Sequence, residues 1–217
     1  MTDSNTEIQS TFRGIAGRYD AHIKFYNFIG LRLKDFGVRA AERLRLKRGD
    51  CVVDLGCGTG LNFPNILERI GPEGRLTGVD LTAEMLARAK ARSDAAGWKN
   101  VELVQSDLAD YVFPEGIDAV IASGVMGYVP EYGRVIESAA RALAPDGHLV
   151  LLDGKIPDTW PSWLVKLLFK IKNPLGLNRE YFDSRPWESV ERCFGETTLE
   201  ERFGGWVYIS AGSKPLR

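Results

Sequence analysis

Three glycines, Gly56, Gly58 and Gly60, follow directly on the short apolar run Cys51-Val52-Val53-Asp54-Leu55. Glycine in such a turn allows positive φ and lets backbone N–H groups approach a ligand closely. Asp80 lies about twenty residues beyond the last glycine, where a carboxylate at a strand end can take both hydroxyls of a ribose. These features together suit an adenosine-bearing ligand. By themselves they fit a nicotinamide dinucleotide as well as any other such cofactor.

Three further features separate the alternatives. Asp54 immediately precedes the glycine turn, aimed where a dinucleotide places its pyrophosphate, and like charges repel there. The same carboxylate suits the ammonium and sulfonium of S-adenosylmethionine (SAM). Asp107, in Ser106-Asp107-Leu108, follows the third apolar run, where it can accept from an adenine amino group. Last, Thr197 to Phe203, Gly204-Gly205 and Trp206 to Ala211 read as a β-hairpin, adding an antiparallel strand to an otherwise parallel nucleotide-binding sheet.

The elements that must position these groups alternate. Short apolar runs at Cys51–Leu55, 75–79, Val101–Gln105, 117–122 and 148–152 alternate with helical stretches, among them Thr82 to Ala95 and Pro130 to Leu143. Such alternation predicts right-handed βαβ units. The expected fold class is α/β: a Rossmann-like, doubly wound, mostly parallel seven-stranded sheet with a C-terminal antiparallel hairpin. Asn62 is placed to cap the helix after the glycine turn, with Pro64 in its first turn. The first ten residues read as frayed, and helical periodicity starts at Ser10.

At 217 residues the chain suits a single domain over 1–217. It divides into an N-terminal helical lid (1–46), a cofactor-binding core (47–153), a cap insertion (154–195) and the hairpin (196–217). A formal net charge of −1 argues against a nucleic-acid partner. Cys51, Cys57 and Cys193 have no metal-ligand spacing, and only His22 and His148 could join them, so no metal is expected. The polar start, Met1 to Gln9, and the lack of any apolar run of about 20 residues predict a cytoplasmic protein.

Val-Val-Asp-Leu-Gly-Cys-Gly-Thr-Gly (52–60), Gly-Val-Asp-Leu (78–81) with Met85, Ser-Asp-Leu (106–108) and Leu-Ala-Pro-Asp-Gly (143–147) resemble, in order and spacing, the successive motifs of class I SAM-dependent methyltransferases. The resemblance covers about Lys47 to Asp153. It implies SAM as cofactor, with Asp54, Gly56, Gly58 and Gly60 around its methionine part. It also implies Asp80 on the ribose, Leu81 and Met85 against adenine, and Asp107 with the Leu108 amide at the adenine edge. Ser123 and Gly124 would face the sulfonium.

Phe12-Arg13-Gly14-Ile15-Ala16-Gly17-Arg18-Tyr19-Asp20 resembles the entry helix of ubiquinone and menaquinone C-methyltransferases, which implies a lid with Tyr19 near the methionine carboxylate. Residues 57–64, Leu152-Asp153-Gly154-Lys155 and Arg185-Pro186-Trp187 look instead like bacterial amino-lipid N-methyltransferases. Both imply a hydrophobic acceptor, a lipid amine headgroup slightly ahead of a quinone ring. From Trp160 to Lys172 the apolar residues share one helical face and Lys166 and Lys170 the other, which suits either a cap over the acceptor or peripheral contact with an anionic membrane through 160–172.

Methyl transfer is an in-line displacement at an already activated carbon, so a general base is needed only for a protonated nucleophile. The candidates are His22, Tyr19, Tyr26, Tyr128 and Asp153, with His22 and Tyr19 placed as catalytic. Two competing readings stay open: a nicotinamide-dependent oxidoreductase and a SAM-binding module without catalysis.

Overall fold

The computed structural model describes residues 3–21, 33–157, 159–161, 165 and 179–216. Along the chain run α1 (Asp3–Ile15), α2 (Leu33–Arg43), β1 (Cys51–Leu55), α3 (Phe63–Ile70), β2 (Arg75–Asp80), α4 (Ala83–Ala96), β3 (Val101–Gln105) and β4 (Ile117–Ser123). A 3-10 turn (Met126–Tyr128), α5 (Tyr132–Ala142), β5 (Leu143–Gly154), α6 (Arg179–Asp183), α7 (Pro186–Cys193), β6 (Phe194–Arg202) and β7 (Val207–Pro215) follow.

β1 is buried on both faces from Val52 to Leu55, as a central parallel strand is. It pairs in parallel with β2 on one side and β4 on the other. The seven strands lie in the order β3-β2-β1-β4-β5-β7-β6. Only β7 runs against its neighbours, inserted between β5 and β6. The Rossmann-like, mostly parallel sheet and its C-terminal antiparallel hairpin are therefore as the sequence predicts.

Alternation along the strands builds two cores. Val53, Leu55, Val120, Leu149 and Leu151 face α5 and α7, where Ile136, Ala139 and Val190 meet them. Val52, Leu76, Ile121 and Val150 face the other way, onto Phe36 and Ala40 of α2 and Phe63, Ile66 and Ile70 of α3. Ile66 is fully buried, so truncating it to alanine would cost roughly 2–5 kcal/mol.

Four local readings change. α1 begins at Asp3, well before Ser10. A tertiary contact holds its polar first turns, since the Gln9 side chain donates to the Leu81 carbonyl at 3.2 Å. Asn62 has helical dihedrals and makes no side-chain cap; its amide is drawn toward Asp54 instead. β4 runs one residue further, to Ser123. β5 begins at Leu143, across the expected turn, because Leu143 pairs with Ile117 before a register shift restores His148 to Ala119.

Candidate functional site

The carboxyl ends of β1 to β4 open on a cleft lined by Gly56, Gly58, Asp80, Asp107 and Ser123, the place where such sheets bind ligands. Two of the turn glycines have different jobs. Gly56 has φ +63, and a Cβ there would lie 2.4 Å from Val125 Cγ2, so it lets the turn close against the loop after β4. Gly58 has φ +54 with nothing within 4 Å of a Cβ, so it leaves room for a ligand to lie on the backbone.

The Gly58 N–H donates to Asp80 Oδ2 and the Thr82 N–H to Asp80 Oδ1, both at 2.8 Å. These bonds fix the carboxylate at the end of β2, and each oxygen keeps a lone pair for an incoming hydroxyl. Burial pushes the Asp80 pKa up, and the two backbone donors oppose it.

Asp54 is fully buried beneath the cleft. The Asn62 amide reaches both its oxygens at 3.4 Å and Ser123 Oγ at 3.2 Å. Burial pushes the Asp54 pKa up to about 8, the Asn62 contact opposes the shift, and the Asp80 charge adds to it. A carboxyl so poised favours a cation above it.

The other end of the cleft is walled by Leu81, Met85, Asp107 and Leu108. Asp107 Oδ1 accepts from the Ala109 N–H at 3.0 Å, which holds it at the end of β3.

The N-terminal segment covers the cleft. Ile8, Phe12 and Tyr19 line it, and Arg13 pairs with Glu84 of α4 at 2.9 Å. Asp20 accepts from Thr59 Oγ1 at 2.6 Å and from Arg92 at 2.5 Å. Burial, then Asp80, Asp20 and Asp153, push the Tyr19 pKa up to about 12. Its phenol therefore stays protonated at neutral pH.

Beyond Tyr19 stands an aromatic wall. Phe12 meets Tyr128 edge-on at 5.4 Å between ring centroids, and Tyr128 meets Tyr181 at 4.6 Å. Behind them Asp153, at the end of β5, is buried and accepts from the Tyr181 hydroxyl, the Met126 N–H at 2.9 Å and the Gly154 N–H at 3.0 Å. Burial pushes its pKa up to about 6 against those donors.

Tyr19, Gly56, Gly58, Asp80, Leu81, Met85, Asp107, Leu108, Ser123 and Gly124 all line one cleft. Asp54 lies below it, and Gly60 shapes the turn, where a Cβ would strike the Phe63 ring at 2.8 Å. His22 and Tyr26 lie outside the described residues, as does most of 160–172. Sequence reasoning missed Ile8, Thr82, Val125, Val129 and Tyr181. Ile8 stands one turn before Phe12 and was findable by helical spacing; Tyr181 carries no linear signal toward Asp153.

Residues 52–147 match the family model described as a methyltransferase domain. The chain is 33% identical over 156 residues to a phosphatidylethanolamine N-methyltransferase of Cereibacter sphaeroides, covering 70% of this chain and 71% of that protein. It is 30% identical over 165 residues to a demethylmenaquinone methyltransferase of Listeria welshimeri, covering 75% of this chain and 69% of that one. In fold it resembles a phosphoethanolamine N-methyltransferase of Haemonchus contortus solved with phosphomonomethylethanolamine and S-adenosylhomocysteine, with TM-score 0.67 and 16% identity over 84% of this chain and 53% of that one.

Proposed function

We propose, on the premise that this chain belongs to the SAM-dependent methyltransferases, that it methylates the amine of a lipid headgroup. Family membership makes SAM the methyl donor and sets aside the nicotinamide-dependent oxidoreductase. The residues present fit the donor: a buried acid under the turn, open space over Gly58, and lone pairs left on Asp80. In this reading Asp54 acts through its charge on the ammonium, Asp80 accepts from the ribose hydroxyls, Leu81 and Met85 pack on adenine, and Asp107 with the Leu108 N–H binds the adenine edge. Ser123 and Gly124 flank the sulfonium end, and Tyr19 donates toward the methionine carboxylate. Bound SAM supplies a methyl group already activated by positive sulfur.

The observation that carries the acceptor reading is the buried Asp153 carboxyl behind the Phe12–Tyr128–Tyr181 wall. Ring faces with a carboxylate behind them attract an ammonium and stabilise the cationic nitrogen that methylation produces. A quinone ring carbon gains no comparable benefit. The protonated amine must give up a proton before attack, and His22 on the lid is assigned that role. The lid (1–46), core (47–153), cap (154–195) and hairpin (196–217) are taken as parts of one methyltransferase domain.

The relative from Cereibacter sphaeroides supports the amine reading, and the demethylmenaquinone relatives support ring C-methylation as the second one. Both acceptors are greasy. Residues 160–172 are assigned to cap that acceptor or touch a membrane; the described Trp160 stacks on Trp206 at 5.1 Å. Among the described residues no helix is long and apolar enough to cross a membrane.

Incubating the protein with methyl-labelled SAM and a total lipid and quinone extract tests this, with mass spectrometry of the products. Label is expected in N-methylated aminolipids. Label in quinones selects the second reading, and label confined to water-soluble metabolites overturns both.

A further inference from the structure

The β6–β7 hairpin turns at the same edge of the sheet as the cleft, because Val207 pairs with both Arg202 and Gly154, the last residue of β5. At its tip Phe203 has φ +53, followed by Gly204 and Gly205 at +64 and +93. A bulky side chain in the left-handed region is a strained exception. Its ring does not fill the core in return: Phe203 is 43% exposed, and its ring contact is with Phe36 of α2 at 5.5 Å.

Arginines stand on both elements that hold that ring. One and two turns past Phe36 on α2, Arg39 and Arg43 reach Glu200 at 3.7 and 2.8 Å, and Arg202, next to Phe203, reaches it at 2.5 Å. The Glu200 side chain is 18% exposed, whereas those of Arg39, Arg43 and Arg202 are 53%, 46% and 50% exposed. Three guanidiniums share the one Glu200 carboxylate, so within that cluster positive charge exceeds negative. Neighbouring Glu201 is turned to Lys155 at 2.5 Å and does not cancel the excess.

From the tip a ladder of rings runs inward. Trp206 meets Phe182 at 5.0 Å, Phe182 meets Tyr181 at 5.0 Å, and Tyr181 meets Tyr128 on the cleft wall. An exposed ring held out at a cost in strain, next to Arg202 in the chain and packed on the helix that carries Arg39 and Arg43, matches one partner chemistry. We propose that the tip is a docking surface for an anionic phospholipid bilayer. Phe203 enters the boundary between headgroups and acyl chains, while Arg39, Arg43 and Arg202 bind lipid phosphates in the forked geometry guanidinium favours. A nucleic-acid backbone would satisfy the cations and leave the ring without an apolar phase. The inference deepens the lipid-acceptor reading, although the docking itself does not need it.

The test is co-sedimentation with vesicles of phosphatidylcholine, with and without phosphatidylglycerol, alongside methylation of a short-chain aminolipid dispersed in detergent. The full-length protein should bind the anionic vesicles preferentially and release as salt rises. Arg39→Gln and Arg43→Gln should each weaken binding about fivefold, and Phe203→Gly about tenfold. Phe203→Gly also relieves the positive-φ strain, so its melting temperature should hold or rise, which separates docking from folding. Short-chain methylation should stay unchanged in all three variants. Equal binding to neutral vesicles, or no loss in the arginine variants, overturns the proposal. Loss of short-chain methylation in correctly folded variants overturns it too, by placing the tip in the acceptor pocket. Vesicle binding without any aminolipid methylation leaves docking standing and removes the acceptor reading.

Discussion

The Asp20 carboxylate accepts a hydrogen bond from the Thr59 hydroxyl at 2.6 Å, fastening the N-terminal segment to the glycine turn. Arg92 completes the clamp, binding Asp20 and donating to the Thr59 carbonyl at 2.8 Å. The lid is thus tied to the backbone that cradles the donor, and Tyr19, next to Asp20, is set over the cleft by the same anchor. Asp20→Ala should raise the dissociation constant for SAM about fivefold, since a partly exposed charged hydrogen bond contributes about 1 kcal/mol. Calorimetry checks the affinity. A kinetic effect on kcat with KM unchanged would count against a lid clamp.

Gly56 and Gly58 should fail in different ways. Gly56→Ala drives a methyl into Val125, at 2.4 Å from Cγ2, and should cost roughly 1–3 kcal/mol of stability. Adding Val125→Ala should recover part of that loss in thermal unfolding. Gly58→Ala meets no protein atom within 4 Å, so its stability loss should be confined to the positive-φ strain, about 1 kcal/mol. Its SAM affinity should fall by more than its stability accounts for, because the new methyl occupies the ligand's space. Equal affinity in Gly58→Ala and the parent would remove Gly58 from the site.

Asp54 carries a pH signature whose sign is fixed. Its pKa is raised from 3.8 to about 8 in the fold, so between those values the folded protein holds a proton that the unfolded chain has released. The stability this contributes is complete below about pH 4 and is lost as pH rises through about 8. Asp54→Asn should therefore melt higher than the parent at pH 8 without ligand, with the difference closing toward pH 4. Cationic SAM favours the ionised carboxyl, so its binding at pH 7 should release a proton and tighten as pH rises. Calorimetry in two buffers of different ionisation enthalpy counts that proton. The asparagine variant should release none and bind at least about tenfold more weakly.

What could be read from the sequence and what could not divide along physical lines. The glycine turn, Asp80 and Asp107 were legible because each stands at the end of a short apolar run, and the parallel sheet puts those ends side by side. The place of β7 between β5 and β6 follows from pairing across the sheet, which no local pattern records. Asn62 carries the composition of a helix cap, yet the buried carboxyl of Asp54 outcompetes the helix terminus for its amide. The polar first turns of α1 looked frayed because the partner that holds Gln9, the Leu81 carbonyl, is 72 positions away. Tyr181 was invisible for the same reason: its partner Asp153 belongs to another element, 28 positions earlier.

That pair makes the last prediction. The Tyr181 hydroxyl lowers the Asp153 pKa against the upward pull of burial, leaving it at about 6. If ionised Asp153 attracts the acceptor amine, kcat/KM for an aminolipid should fall on the acid side with an apparent pKa near that value. Tyr181→Phe removes the donor and should move the acid limb to higher pH. The rate at pH 6 should drop several-fold while the rate at pH 8 changes little. Asp153→Asn should abolish the limb and lower the rate at every pH. A purely structural Tyr181 would lower the melting temperature, because a buried hydroxyl and its hydrogen bond are lost, and leave the limb where it was. Measuring the pH profile beside the melting temperature therefore separates the two roles, and an unmoved limb would detach Asp153 from the acceptor chemistry.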